Sequence, residues 1–420
     1  MKILLMSIGT RGDCEPFLAL ANMLREKGHD IICAFPEQYC HLAQEENLEY
    51  RSLGPEFLEL IDSDTGRYIM GGKSALKKLK LTIDLYKQSK DIQKKILNIQ
   101  ELIVKETDPD YIIFHPKIMY AIPWHMATGK NIRLLCPVPC MLHPVKGFAS
   151  IGINKNLGPF FNDLSYKLVN QAMGLAIKVS AKDSFPDKKY KTKEFVQELK
   201  SVKLIYSISP SILKYQENWP NNINISGFLE RDKVHAWTPP AGFDTFLNSH
   251  KKIMLISFGS MINSDPKKTT EILLTALKNC DIPAILNISG GGLIEPENYD
   301  KQQFFFTQSI PYDYILPKVY ATVHHGGAGT THSSLKAGCA TMAIPHTVDQ
   351  PLWNQWIYNL GAGPKGIPIS KINPSNLSKK LSDLYTNPRY KSTAQNLQKE
   401  MLSDNNFEEL YNFIIDPNVN

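Results

Sequence analysis

Short apolar runs rich in β-branched and aromatic residues recur along this chain at intervals that leave room for helices or loops between them. This alternation constrains the fold more than any other feature. The first run, KILLMSI (2–8), leads into the turn Gly9-Thr10-Arg11-Gly12-Asp13. A helix follows, with Pro16 in its first turn, Phe17, Leu20, Ala21 and Leu24 on one face, and Gly28 just past its end. HDIICAF (29–35), DYIIF (110–114), IRLLC (132–136) and KLIYSIS (203–209) continue the series. Parallel strands need crossovers, which helices supply, so repeated strand and helix segments predict a parallel sheet.

A second series begins at KIMLISFGSM (252–261) and continues through a helix at Thr269–Lys278, then PAILNIS (283–289), FFFT (304–307), TVHH (322–325) and TMAI (341–344). Each half has about the length of one Rossmann-like domain. The polar, Pro-containing stretch Arg231–Gly242 suits a linker, and helical segments Pro374–Tyr385 and Arg389–Ile415 close the chain. The expected organisation is a first domain over 1–230, a linker over 231–250, a second domain over 251–386 and a helical segment over 387–420 that packs across both.

The 420 residues suit two or three domains, and 43% hydrophobic with 21% charged residues is a globular composition. No run approaches the ~20 apolar residues of a membrane span. The early run Ile3–Met6 is too short for a signal-peptide core, so a soluble, cytoplasmic protein is expected. The seven cysteines (Cys14, Cys33, Cys40, Cys136, Cys140, Cys280, Cys339) show no metal-ligand spacing and read as reduced thiols. A net charge of +6 does not argue for nucleic acid. Nine lysines interleaved with leucines and isoleucines make residues 73–105 markedly basic. That pattern reads first as a solvated helix face over a core stripe and second as a peripheral contact with an anionic membrane.

The chemistry concentrates in Val323-His324-His325-Gly326-Gly327-Ala328-Gly329-Thr330-Thr331. A strand ends, glycines remove side-chain bulk, and a helix begins whose free N–H groups and dipole favour a phosphate. His325 adds a neutral or cationic donor. The plain structural reading is a tight turn in which glycine merely permits positive φ. A metal reading of His324, His325 and His332 fails, because adjacent strand residues face opposite ways and no Cys or carboxylate joins them. Asp349-Gln350, after TMAIPH, reads either as an N-cap or as a carboxylate and amide for sugar hydroxyls.

GTRGDCEPFLALA (9–21), SFGSM (257–261), HHGGAGTTHSSLKAG (324–338), PHTVDQPLW (345–353) and LGAGPKGIP (360–368) occur in order through both halves. With them the chain resembles the UDP-glycosyltransferase family, in particular the branch holding sterol glucosyltransferases and bacterial antibiotic glycosyltransferases. The resemblance implies an α/β architecture of GT-B type, two Rossmann-like domains with parallel sheets facing a central cleft. It implies a metal-independent, inverting hexosyltransferase with UDP-glucose as first donor, no bound cofactor and a lipophilic acceptor such as a sterol, polyketide, terpenoid or lipid alcohol. The first domain would hold the acceptor and the second the donor.

Carried over by position, the resemblance assigns the diphosphate to His325 and the backbone of Gly327, Ala328, Gly329 and Thr330. Gly259, Ser260 and Ile310 join the donor site, and Asp349 and Gln350 bind the sugar ring. Asp13 stands where this branch has its proposed base, with helix capping as its plain alternative and Asp349 as the second candidate base. The block Gln308–Asp313 departs from the related plant signature, with Ser309 and Tyr312, so TDP-sugars stand beside UDP-sugars as donors. Acceptor-lining residues are expected in CPVPCMLHP (136–144) and among the Met, Phe and Tyr residues of 57–70 and 141–172, which fit an ordinary core equally well. The competing functions are a noncatalytic nucleotide-sugar-binding protein, a GT-B epimerase, and a nicotinamide oxidoreductase, which the missing GxGxxG after the first strand disfavours.

Overall fold

A computed structural model of the chain describes all residues other than 64–74, 154, 232–236, 260, 262, 264, 347–348, 405 and 417–420, together with the side chains of 62 and 75–89. It divides into two compact units, one holding residues 1–63, 82–231 and the chain from Asp404 on, the other holding Asp232–Ser403 and, of the described residues, 75–81.

The first unit is built on a seven-stranded parallel sheet. Its strands are β1 (Lys2–Met6), β2 (Asp30–Phe35), β3 (Glu49–Ser52), β4 (Tyr111–Phe114), β5 (Asn131–Cys136), β6 (Leu204–Tyr206) and β7 (Ile223–Ile225), in the spatial order β3-β2-β1-β4-β5-β6-β7. Both faces of a parallel sheet are covered, which is why β1 reads as a continuous apolar run whose residues Ile3 to Met6 are all fully buried. The helix Arg11–Glu26 turns Phe17, Leu18, Leu20, Ala21 and Leu24 onto this core. β3 and β7 are absent from the sequence expectation. Both are edge strands, and the polar EYRS of β3 gives no apolar signal.

The second unit carries a five-stranded parallel sheet of β8 (Met254–Ser257), β9 (Ala284–Asn287), β10 (Phe304–Thr307), β11 (Ala321–His324) and β12 (Ala340–Ala343), ordered β10-β9-β8-β11-β12. The expected linker is partly structural. Residues Phe243–Ser249 form a short helix whose Phe243 and Phe246 lie in a core of this unit with Leu255 and Ile285.

The expected helix over 389–415 is two helices, Pro388–Met401 and Phe407–Ile415, and the break coincides with the return of the chain to the first unit. There Leu410 and Ile414 enter the core of β1 and β2. Arg133 donates to the carbonyls of Ile414 (2.9 Å) and Asp416 (3.0 Å), and Lys203 Nζ donates to that of Asp416 (2.7 Å), closing the helix C-terminus with cations.

The lysine-rich segment forms the helix Ala75–Thr107. Of its side chains, those before Lys90 lie outside the described residues. From there on, Lys94, Lys95 and Lys105 are exposed while Ile96, Leu97, Ile103 and Val104 are buried. All seven cysteines are free thiols. Among the described residues no helix is long and apolar enough to cross a membrane.

Candidate active site

In an open parallel sheet a crevice forms at the strands' carboxyl ends where the strand order reverses. The first sheet reverses between β1 and β4, which pair directly with Met6 opposite Phe114. Asp13 follows β1 and His115 and Lys117 follow β4, so topology alone brings the three together.

Asp13 Oδ2 accepts the Thr10 N–H at 2.7 Å and lies 3.3 Å from Lys117 Nζ, while Oδ1 lies 3.1 Å from His115 Nε2. His115 Nδ1 accepts the Lys117 backbone N–H at 3.2 Å, so the ring proton sits on Nε2 and is donated to the carboxylate. Burial pushes the Asp13 pKa up, but the Lys117 ammonium, the His115 hydrogen bond and the Thr10 N–H outweigh it and hold it well below the usual carboxylate range. Burial likewise lowers the His115 pKa, keeping the ring neutral despite its carboxylate partner. Asp13 is 13% exposed and Lys117 42%, against 2% for His115, so the carboxylate and the ammonium reach solvent from a buried support. Gly9, at φ +147°, leaves the space the carboxylate fills, since a Cβ there would stand 2.1 Å from Asp13 Oδ2.

The second sheet reverses between β8 and β11, where Ser257 pairs with His324. Gly259 follows the first strand and His325 the second. The His325 ring lies against both glycine loops: a Cβ at Gly327 would be 2.4 Å from its Nε2, and one at Gly259 3.1 Å from its Cε1. Burial, with His324 and His346 nearby, pushes the His325 pKa well below the imidazole range, so of the two expected protonation states the structure holds the neutral one. Its buried Nδ1 has no hydrogen-bond partner among the described residues. His324 turns the other way, accepting the Gly326 N–H at 2.9 Å and contacting Thr341 Oγ1 at 3.0 Å.

The helix Ala328–Lys336 starts from Gly327, and Thr331 makes its first intrahelical bond back to Gly327 O at 3.0 Å. The amides of Ala328, Gly329 and Thr330 are therefore the first-turn donors that an anion would meet. Gln350 adjoins this loop, its carbonyl 3.1 Å from where a Cβ on Gly326 would be, and its Oε1 accepts the His346 N–H at 2.7 Å. Asp349 is not the side-chain cap of its helix; its carboxylate instead accepts the Trp353 indole N–H at 3.0 Å.

Ser260 lies outside the described residues. The Ile310 side chain is committed to the core with Phe243 and Ile315, which leaves only its backbone for a ligand. Tyr312 bonds Ser257 Oγ at 2.9 Å, at the end of β8. Of the expected acceptor-lining residues, Cys140, Leu142 and Tyr166 are buried packing residues, and 64–70 lie outside the described residues. His115 and Lys117 are absent from the sequence reading. The only trace was His-Pro-Lys directly after an apolar run, and that run's place beside β1 is invisible in one dimension.

The glycosyltransferase family 28 N-terminal domain matches residues 3–108, and the erythromycin biosynthesis protein CIII-like C-terminal domain matches residues 302–416. The fold is that of the GT-B glycosyltransferases. Sterol 3-beta-glucosyltransferase UGT80A2 of Arabidopsis thaliana is 29% identical over 96% of this GT-B chain, which spans 63% of that relative's length. The crystal structure of the glycotransferase of kitacinnamycin superposes with a TM-score of 0.71 at 17% identity, covering 98% of both chains. Glycosyltransferase VinC, solved with dTDP, gives 0.64 at 14% identity over 99% of this chain and 98% of its own.

Proposed function

We propose that the chain transfers a hexose from a nucleotide-diphosphate sugar to a hydroxyl of a lipophilic small molecule, with inversion at the anomeric carbon. UDP-glucose is the first donor and a sterol 3β-hydroxyl the first acceptor, on the strength of the sterol glucosyltransferase relative. A TDP-linked sugar is the alternative donor. The observation that carries the reading is that each sheet's reversal point holds one half of the required chemistry: an ionised carboxylate at the first and a neutral histidine beside a bare helix N-terminus at the second.

The acceptor hydroxyl gives its proton to Asp13 as its oxygen bonds the anomeric carbon. The bond from that carbon to the diphosphate oxygen breaks, and the leaving diphosphate takes the electron pair. His325 and the amides of Ala328, Gly329 and Thr330 meet that growing charge, Gly259 approaches the same phosphates, and Asp349 and Gln350 hold the sugar hydroxyls. Preorganised donors suit this task without reorganisation, and no metal ion is required in the scheme. Asp13 is a weak base because its donors lower its pKa. The same donors guarantee its ionisation at neutral pH and fix its direction, and general base catalysis of this kind is worth ~10²- to 10⁴-fold.

The test is incubation of the full chain with labelled UDP-glucose and a panel of sterols and other lipophilic alcohols, with and without EDTA. Label in an extractable β-glucoside in both arms supports the proposal. UDP-glucose binding with no transfer to any acceptor would establish the noncatalytic alternative, and an epimerised sugar nucleotide without acceptor would establish the epimerase. Turnover abolished by EDTA and restored by Mg²⁺ would overturn the metal-free scheme.

A further inference from the structure

The helix Pro159–Ser184 buries polar residues over its first half, where Asn162, Ser165, Tyr166 and Asn170 serve the backbone of the loops beneath, and small or apolar ones, Gly174, Ile177 and Ala181, over its second. Ser165 Oγ accepts the Ser150 N–H at 2.9 Å, Asn162 Oδ1 accepts that of Leu157 at 2.9 Å, and Asn170 Nδ2 donates to Leu142 O at 3.0 Å. Its outward face carries Phe160 (74% exposed), Phe161 (57%), Leu164 (38%), Leu168 (62%), Leu175 (54%) and Val179 (65%). At 3.6 residues per turn these six fall within an arc of about 100°. A contiguous apolar face of this size on a soluble surface marks an interaction site.

The surrounding charge identifies the occupant. On the same helical wheel Lys167 and Lys178 run along one edge of the apolar arc, and Lys182 stands near its C-terminal end. From residue 155 to 193 there are eight lysines, all exposed, against three aspartates, which is five of the chain's net six positive charges. Three of these lysines lie on the helix, against Asp163 and Asp183, and the other five in the segments flanking its ends. An anionic interface takes both the apolar side chains and the lysines, which would repel one another across a pair of copies. The helix Ala75–Thr107 differs, since the described part of its apolar stripe is largely buried.

We propose that this face of the Pro159–Ser184 helix docks on an anionic lipid bilayer. The helix lies along the interface, its phenylalanines and leucines entering the headgroup boundary and its lysines meeting lipid phosphates. The inference goes beyond the transfer reaction and does not depend on it.

Cosedimentation of the full chain with vesicles of phosphatidylcholine alone, or mixed with phosphatidylserine, tests it without any activity measurement. Binding to the mixed vesicles at least about tenfold tighter than to phosphatidylcholine, and weakening with salt, is expected. A Phe160→Ser/Leu168→Ser/Val179→Ser variant with unchanged thermal unfolding should lose at least about tenfold, and a Lys167→Gln/Lys178→Gln/Lys182→Gln variant should lose the anionic preference. Absence of wild-type binding, undiminished binding by the triple serine variant, or a dimer in solution that this variant dissolves would each overturn the proposal.

Discussion

Asp13 carries two duties on one carboxylate. It holds the Thr10 N–H as a cap on the first helix and is aimed by His115 and Lys117 at the mouth of the β1/β4 reversal. Asp13→Asn separates them. Both Asp13 oxygens accept from N–H donors, so the Asn amide keeps one bond and sets its NH2 against the other donor, at a cost of about 1–3 kcal/mol. The folded variant should keep its UDP affinity while turnover falls by about two orders of magnitude or more, and an active Asn variant would pass the base role to Asp349. The pH profile gives a second check. In the proposed scheme activity needs Asp13 ionised and is lost as pH falls through its pKa, which Lys117 helps hold below the ordinary 3.8. Lys117→Met should move the acid limb of kcat upward, and a limb that stays in place would show that Lys117 does not tune the carboxylate. His325→Ala should weaken UDP binding in calorimetry with the protein still folded, and unchanged affinity would remove His325 from the diphosphate site. Asp13 and His325 were legible because their neighbours in sequence, Gly-Thr-Arg-Gly and Gly-Gly-Ala-Gly, carry the signal. His115 and Lys117 act across strands and carry none.

At the scale of elements, long apolar runs and the helices between them were readable because burial on both faces leaves a continuous hydrophobic signature. Edge strands β3 and β7 leave none, and the Pro159–Ser184 helix misleads, its Phe and Leu residues suggesting a core they do not enter. The closing helix Phe407–Ile415 was legible as a helix but not in its attachment. That attachment rests on buried cations: Arg133 is 3% exposed and spends two donors on the carbonyls of Ile414 and Asp416. Arg133→Met leaves the Ile414 carbonyl without its charged donor, while that of Asp416 keeps Lys203, at a cost of about 1.5–3 kcal/mol for the bond lost. Urea unfolding should show that loss in the first unit, and an unchanged midpoint would mean that Lys203, Leu410 and Ile414 hold the helix without Arg133.

On the scale of the whole molecule, strand order is what converts two lists of motifs into sites, and order is the property a single sequence least reveals. Another consequence of that order is that the second unit gathers four histidines kept neutral by burial around the β8, β11 and β12 carboxyl ends. Burial lowers His324 to about 3 and His332 and His346 to about 4, and pushes His325 well below 6.5. The folded state refuses the proton that each ring takes up when unfolded. Above about pH 6.5 neither state is protonated and the histidines do not affect stability. As pH falls from there toward about 4, each costs the fold about 1.4 kcal/mol per pH unit, and below the folded pKa the loss levels off. The first unit has fewer such rings, with His29, His115 and His143 lowered but His125 raised by Glu198. Acidification from about pH 7 to about pH 5 should therefore lower the urea midpoint of the second unit more than that of the first, read by hydrogen exchange on peptides from each. His346→Gln, which removes one ring, should flatten the second unit's pH dependence by about 1.4 kcal/mol per pH unit. Equal acid sensitivity of the two units, or an unchanged slope in the His346→Gln variant, would show that protons enter this histidine cluster without unfolding it.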